Sequence, residues 1–138
     1  MKKEECSIII PDDIASIPEV NAFVESQASR AGLSASAAGE IKLAVEEAVA
    51  NVISYAFPAR GQNRISIVSK INKDFVEFNI IDDGIEFDPT IAPEADISLT
   101  AEERMPGGLG ILMIRNCVDF MHYARNKGKN ILTLRKNI

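Results

Sequence analysis

The longest regular pattern in this sequence is an amphipathic helix signal that begins at Ser34 or Ser36 and continues to about Phe57. Either serine can cap the first turn, and Pro58 and Gly61 end the pattern. Apolar side chains recur with the helical period of about 3.6 residues. They form one stripe, made of Ile41, Ala44, Val45, Ala48, Val52 and Ala56. By this stripe the helix is expected to pack into a core.

Strand and helix signals interchange along the rest of the chain. In order, the pattern predicts a strand at 6–11, a helix from Asp12 or Asp13 to a stop at Gly32, the long helix, a hairpin of strands 65–71 and 75–81, a loop, a helix over about 111–120, and strands 121–125 and 130–134. Strands adjacent in sequence favour antiparallel pairing. The predicted fold is an α+β two-layer sandwich, with a mixed, mostly antiparallel sheet and helices on one face.

The size and charge of the chain limit the number of domains and the kinds of partner that it can have. Its 138 residues fit one compact domain, so we assign 1–138 to a single domain. No apolar run is long enough to cross a bilayer. The run Ile8-Ile9-Ile10, ended by Pro11, is too short for a signal peptide. These two features predict a cytoplasmic protein with no membrane partner. The net charge of −5 argues against direct nucleic-acid binding and favours a regulatory protein or a small ligand as partner.

Two polar side chains lie one turn apart on the flank of the long helix. At about 100° per residue, Glu47 and Asn51 project side by side, whereas Glu46 projects from the opposite flank. An amide oxygen beside a carboxylate suits a Mg²⁺ ion that keeps several waters and also touches phosphates. The carboxylate can instead orient or deprotonate an attacking hydroxyl. On spacing alone, the pair is also typical of a solvated helix edge.

Two further segments carry residue types suited to a nucleotide. The hairpin leads into Asp82-Asp83-Gly84, where the first carboxylate can accept a hydrogen bond from the exocyclic amine of adenine and the glycine lets the backbone pass close to a flat ring. The same residues form a common acidic turn. Gly107-Gly108-Leu109-Gly110 opens the next predicted helix, where backbone N–H groups can face a phosphate, although such glycines also make a flexible hinge. The segment between them is long and rich in proline, which predicts a mobile lid.

Taken together and in this order, the segments resemble the GHKL (histidine-kinase-like) ATPase superfamily, and within it the anti-sigma-factor serine-protein kinase branch. Leu43 to Asn51 is similar to the N box of that family, Asp82 to Pro89 to its first glycine box, and Gly108 to Gly110 to its second. The resemblance implies Glu47 as catalytic general base and Asn51 as metal ligand. The cofactor-binding residues that it implies are Asn51, Asp82, Gly84, Phe87, Gly108, Leu109, Gly110 and Thr133. A strand threonine such as Thr133 is also simply a good β-former.

The same resemblance implies a function. It predicts the Bergerat-type ATP-binding fold with a lid over about 85–107, ATP and Mg²⁺ as cofactors, and transfer of the γ-phosphoryl group to a serine of an anti-anti-sigma (STAS-type) partner. A sigma factor is the second expected partner, and relatives form homodimers. The alternative is an ATP-binding regulatory module without kinase activity, against which retention of Glu47 argues. The only histidine, His122, lies at a predicted strand start, which disfavours a sensor histidine kinase.

Overall fold

The computed structural model of the chain describes residues 4–59, 62–88 and 108–138. Within these ranges no helix is long and apolar enough to cross a membrane. The elements are β1 (Glu4–Pro11), a 3₁₀ turn (Ile14–Ser16), α1 (Ile17–Ala31), α2 (Ala35–Tyr55), β2 (Arg64–Ile71), β3 (Phe75–Asp82), α3 (Gly108–Cys117), β4 (Phe120–Asn126) and β5 (Lys129–Asn137).

The described strands form one sheet in the order β1-β2-β3-β5-β4. All four neighbouring pairs in it are antiparallel, so the described sheet is not mixed as the sequence analysis expected, whereas the α+β two-layer architecture is confirmed. The chain passes from β3 through α3 to β4 at the sheet edge. Strand β5 then lies between β3 and β4. The turn from β4 to β5 is tight, because Lys127 and Gly128 both adopt left-handed backbone angles, with φ of 52° and 78°.

The core lies between the helices and one face of this sheet. Side chains alternate between the two faces along each strand, and one set points at the helices and is buried. The buried apolar side chains of the three central strands are Ile65, Ile67, Ile71, Val76, Phe78, Ile80, Leu132 and Leu134. From α1 and α2 they meet Val20, Val24, Ala28, Ile41, Ala44, Val45 and Val49. The predicted apolar stripe of the long helix is therefore the face that packs on the sheet.

The ends of the helices follow local capping chemistry. Ser34, rather than Ser36, caps α2, since its hydroxyl accepts a hydrogen bond from the backbone N–H of Ala37 at 3.1 Å. Gly32 ends α1 in a left-handed conformation with a φ of 79°. These local signals were readable in the sequence.

The third helix differs from its prediction at both ends. The sequence predicts it over about 111–120, after the glycines. It instead includes Gly108 and Gly110 and ends at Cys117. There Lys136 donates its Nζ to the Cys117 carbonyl at 3.0 Å, which satisfies one of the exposed carbonyls at the helix end. Of the predicted lid, residues 85–88 are described and have no regular structure, while 89–107 lie outside the described residues.

Candidate functional site

The last residue of β3, Asp82, is a buried carboxylate, with only 4% of its surface exposed. Its Oδ1 accepts hydrogen bonds from Asn130 Nδ2 at 3.0 Å and from the backbone N–H of Gly84 at 2.9 Å. Burial raises the pKa of Asp82, and these two hydrogen bonds lower it in part. A carboxylate kept in such surroundings suits the recognition of a specific donor rather than general solvation.

A cleft that is partly open to solvent lies beside Asp82, between α2 and the sheet. Asn51, Asp82, Tyr123 and Asn130 are the polar residues of its wall, and the rest of the wall is apolar. An apolar cleft with a few convergent polar groups is typical of sites for small molecules and cofactors. Phe87, from the loop after β3, also lines it. Asp82, Phe87 and Asn51, each predicted separately, thus border the same cleft.

The N-terminal turn of α3 lies against the polar flank of α2. A methyl group placed on Gly110 would lie 2.7 Å from Glu47 Oε2 and 3.6 Å from Asn51 Nδ2. Gly110 therefore lets α3 lie against this flank without displacing the Glu47 carboxylate. The structure brings the start of a glycine-rich helix next to the predicted base and metal ligand. Gly108 and Leu109 begin the same helix, and the surroundings of Leu109 lie outside the described residues.

The backbone of Gly84 packs directly on the C-terminal end of α2. A Cβ atom added there would overlap the carbonyl of Ala56 and lie 2.8 Å from the Ala56 Cβ. The next residue, Ile85, donates its backbone N–H to that same carbonyl at 2.8 Å. The loop that follows Asp82 is thereby joined to the C-terminal end of α2. The predicted approach of Gly84 to a bound ring stays a prediction, and close packing is the reason for glycine that the structure shows.

The Gly84→Ala substitution is expected to destabilise the protein by about 1–3 kcal/mol, because the added methyl group overpacks the contact with Ala56. Urea denaturation measures the change. Gly39→Ala is the matched control, since Gly39 lies within α2 with open space around its Cβ position. That change should stabilise the protein by about 0.5–1 kcal/mol. Equal stability of the Gly84→Ala protein and the wild type would contradict the packing role.

The structure adds Asn130 to the site and does not bring Thr133 to it. Asn130 is opposite Asp82 in the β3–β5 pair and is buried. Thr133 lies on the other face of the sheet, where its Oγ1 donates to Asn79 Oδ1 at 2.7 Å. Alternation along β5 explains the difference, because residues separated by an odd number of positions point to opposite faces. The sequence held one signal for Asn130, since it lies an even number of residues from Leu132 and Leu134 and so shares their buried face.

Comparisons with known sequences agree on one family. The sequence model described as "Histidine kinase-like ATPase domain" matches residues 10–136. The serine-protein kinase RsbW of Listeria monocytogenes is 32% identical over 110 residues, which are 76% of this chain and 69% of that protein. The serine/threonine-protein kinase BtrW of Bordetella bronchiseptica is 30% identical over 94 residues, 68% of this chain and 66% of that protein. The chain thus spans about two thirds of the length of these relatives.

Two solved structures share the fold. The crystal structure of the RsbU and RsbW domains of a Mycobacterium tuberculosis protein matches with a TM-score of 0.68 and 16% identity, over 96% of this chain and 32% of that one. The histidine kinase domain of a blue-light activated kinase from Erythrobacter litoralis matches with a TM-score of 0.56 and 19% identity, over 92% of this chain and 61% of that one. At these identities the likeness shows the fold alone.

Proposed function

Since the chain belongs to the histidine kinase-like ATPase domain family, we propose that it binds ATP with Mg²⁺ and transfers the γ-phosphoryl group to a serine of an anti-anti-sigma (STAS-type) partner. The observation that carries this proposal is the meeting of three separate segments at one cleft and directly beside it. Asp82 provides a buried acceptor, and the flank of α2 places Asn51 at the wall. The glycine-rich start of α3 adjoins Glu47 and Asn51.

Asp82 is the residue proposed to recognise the adenine base. The hydrogen bonds from Gly84 and Asn130 both end at Oδ1 of its carboxylate, and Oδ2 is the proposed acceptor for the base. An exocyclic amine donates a hydrogen bond, and a buried carboxylate oxygen is a strong acceptor for it. The apolar wall of the cleft then offers a surface for the flat base, with Phe87 on the loop side.

The α2 flank and α3 suit the phosphate end of the nucleotide. Among the described residues, no three His, Cys, Asp or Glu side chains are grouped to hold a metal. Mg²⁺ in kinases and ATPases is usually bound through one or two protein oxygens together with the substrate phosphates, and Asn51 offers such an oxygen. When bound, Mg²⁺ neutralises charge on the phosphates. Backbone N–H groups at the start of α3, at Gly108 to Gly110, would face the same phosphates.

Glu47 is proposed to act on the incoming serine. Its carboxylate lies one turn before Asn51 on the same helix flank and against Gly110, beside the proposed phosphate site. From there it can accept the proton of a serine hydroxyl as the γ-phosphoryl group is transferred. Phosphoryl transfer depends mainly on positioning and charge neutralisation, so the close contact between α2 and α3 at Gly110 supports this role.

The remaining parts of the proposal rest on the resemblance to the anti-sigma branch and on the named relatives. They are sequestration of a sigma factor, a homodimeric assembly and a cytoplasmic location, with no direct contact to nucleic acid or membrane. The alternative function, an ATP-binding regulatory module that binds a partner without kinase activity, would use the same cleft. The placement of Glu47 beside α3 favours the kinase.

A transfer assay tests the proposal. The purified protein is incubated with Mg²⁺, labelled ATP and the anti-anti-sigma protein encoded nearby, and phosphoserine is expected on that partner. Chelation of the metal by EDTA should abolish the transfer, and excess Mg²⁺ should restore it. A partner whose acceptor serine is replaced by alanine is the control. ATP binding without transfer would instead support the regulatory module, and absence of ATP binding would contradict both functions.

A further inference from the structure

The side chain of Asn130 connects Asp82 to the loop that follows it. Nδ2 donates to Asp82 Oδ1 at 3.0 Å and to the carbonyl of Ile85 at 2.7 Å. An amide nitrogen has two hydrogens, so both of its donors are used. One bond holds the carboxylate at the end of β3, and the other holds the backbone three residues later.

The amide oxygen of Asn130 is equally engaged. Oδ1 accepts from the Tyr123 hydroxyl at 2.6 Å, from Arg125 Nη1 at 3.0 Å and from the backbone N–H of Phe87 at 3.4 Å. Arg125 Nη1 also donates to the carbonyl of Gly84 at 2.9 Å. The orientation of the Asn130 amide follows from these partners, because every neighbour of Nδ2 is an acceptor and every neighbour of Oδ1 is a donor.

We propose that Asn130 is a positioning residue of the nucleotide site, which orients the Asp82 carboxylate toward the base and fastens the loop from Gly84 to Phe87 to β4 and β5. With both donors and its oxygen occupied by protein groups, Asn130 is not itself a ligand of the base. It acts through Asp82, whose Oδ1 it engages and whose Oδ2 it leaves for the ligand. This inference rests on the proposed function, since it requires that the cleft binds ATP.

The loss of Asn130 has two physical consequences at the site. Asp82 would keep one hydrogen bond, from Gly84, for a carboxylate that is almost wholly buried. Asp83 next in the chain and Arg125 on β4 are the charged groups that act on it, and they oppose one another. Removing the Asn130 donor therefore raises the pKa of Asp82 further and weakens the ionised acceptor. The loop also loses two hydrogen bonds to Asn130, one accepted by the carbonyl of Ile85 and one donated by the backbone N–H of Phe87.

Asn130→Ala is the direct test, with Asn79→Ala as the matched control. Asn79 is a buried asparagine on neighbouring β3, bonded to Glu77 and Thr133 on the opposite face of the sheet. Calorimetry measures the Kd of Mg-ATP over a range of pH. For Asn130→Ala we expect the Kd to rise by about ten-fold or more at neutral pH, as for loss of a hydrogen bond to a charged group. The pH below which binding weakens should also move upward from the wild-type value.

The control and the transfer rate separate positioning from general damage. Asn79→Ala should bind ATP within about two-fold of the wild type and with the same pH profile. The reason is that Asn79 points to the face of the sheet opposite the cleft, so its loss does not couple to the site. At saturating ATP, the transfer rate of Asn130→Ala should stay within about three-fold of the wild type, since Asn130 acts on ground-state binding at the base end.

Each result has a defined meaning. A folded Asn130→Ala protein with the wild-type Kd and pH profile overturns the positioning role and leaves the proposed function intact. A higher Kd with an unshifted pH profile also overturns the positioning role. A wild type that binds no ATP overturns both. If Asn130→Ala does not fold, Tyr123→Phe replaces it, because that change removes only the hydroxyl that donates to Asn130 Oδ1. A loss of about three-fold is then expected, and no loss overturns the role.

Discussion

Replacing Asp82 by asparagine is expected to weaken ATP binding strongly while the fold is retained. The new side chain has nearly the same shape, and its oxygen can still accept from Asn130 Nδ2 and from the N–H of Gly84. Its amide nitrogen then takes the place of Oδ2 and presents a donor to the donating amine of adenine. A site built to form a hydrogen bond loses much affinity when that bond is replaced by a mismatch, so the Kd should rise by at least about 100-fold.

The same substitution should raise or preserve stability at neutral pH. Burial gives Asp82 a pKa in the folded protein above its ordinary value, so the folded state holds this proton more tightly than the unfolded state. The stability contributed by this group is fully present below the ordinary carboxyl pKa and is lost as the pH rises through the folded pKa. At neutral pH the wild type therefore bears the cost of a buried charge that the Asp82→Asn protein lacks. At low pH, where Asp82 is protonated, the difference should disappear.

Calorimetry with Mg-ATP and urea denaturation at two pH values check this pair of effects. Asp83→Asn is the matched control, since Asp83 is exposed and adjacent, and its replacement should leave ATP binding within about two-fold of the wild type. Undiminished ATP binding by the Asp82→Asn protein would remove Asp82 from the site. A variant that is less stable than the wild type at neutral pH would show that the buried charge carries no net cost.

Replacing Glu47 by glutamine is expected to lower phosphoryl transfer by about 100- to 10,000-fold, which is the usual contribution of a general base. Glutamine fills the same space against Gly110 but accepts no proton at neutral pH. ATP binding should change by less than about three-fold, because the lost interaction is needed in the transition state rather than in the ground state. Single-turnover transfer of labelled phosphate at saturating ATP measures the rate, and calorimetry measures the binding.

Glu46→Gln provides the comparison for this experiment. Glu46 is the residue before Glu47 on the same helix, and its charge attracts that of Lys42 on the opposite flank. Its replacement should leave transfer within about two-fold of the wild type. Equal transfer by the Glu47→Gln protein and the wild type would show that Glu47 is not the base. If neither protein transfers phosphate and both bind ATP, the regulatory module is the better description.

Much of the fold was predictable because its signals are local. The apolar stripe of α2, the cap at Ser34 and the stop at Gly32 each depend on residues within one or two turns of helix. The β2–β3 hairpin likewise follows from two strand patterns joined by a short turn. The family resemblance, carried by motifs in known order, is confirmed by the match over residues 10–136. Helical projection alone singled out Glu47 and Asn51 as neighbours.

The partners of these local elements depend on contacts between distant parts of the chain. The sequence shows glycines at 84 and 110 but not what they pack against. Gly84 packs on Ala56 and Gly110 on Glu47, because of how the loop and α3 meet α2. Helix α3 includes Gly110 although glycine disfavours a helix interior, and its missing side chain leaves room for Glu47 of α2. The sequence predicts a mixed, mostly antiparallel sheet, and only the strand pairing shows that every described pair is antiparallel.

Periodicity and capping act between near neighbours, so most of the helices and strands, the carboxylate at the end of β3 and the polar pair on α2 were predictable from the sequence. The residue that stands beside Asp82 was not predictable in this way. That choice depends on β5 entering between β3 and β4, in a register that pairs Asp82 with Asn130. In a strand, a shift of one residue turns every side chain to the other face. For that physical reason Asn130, rather than Thr133, lies at the cleft.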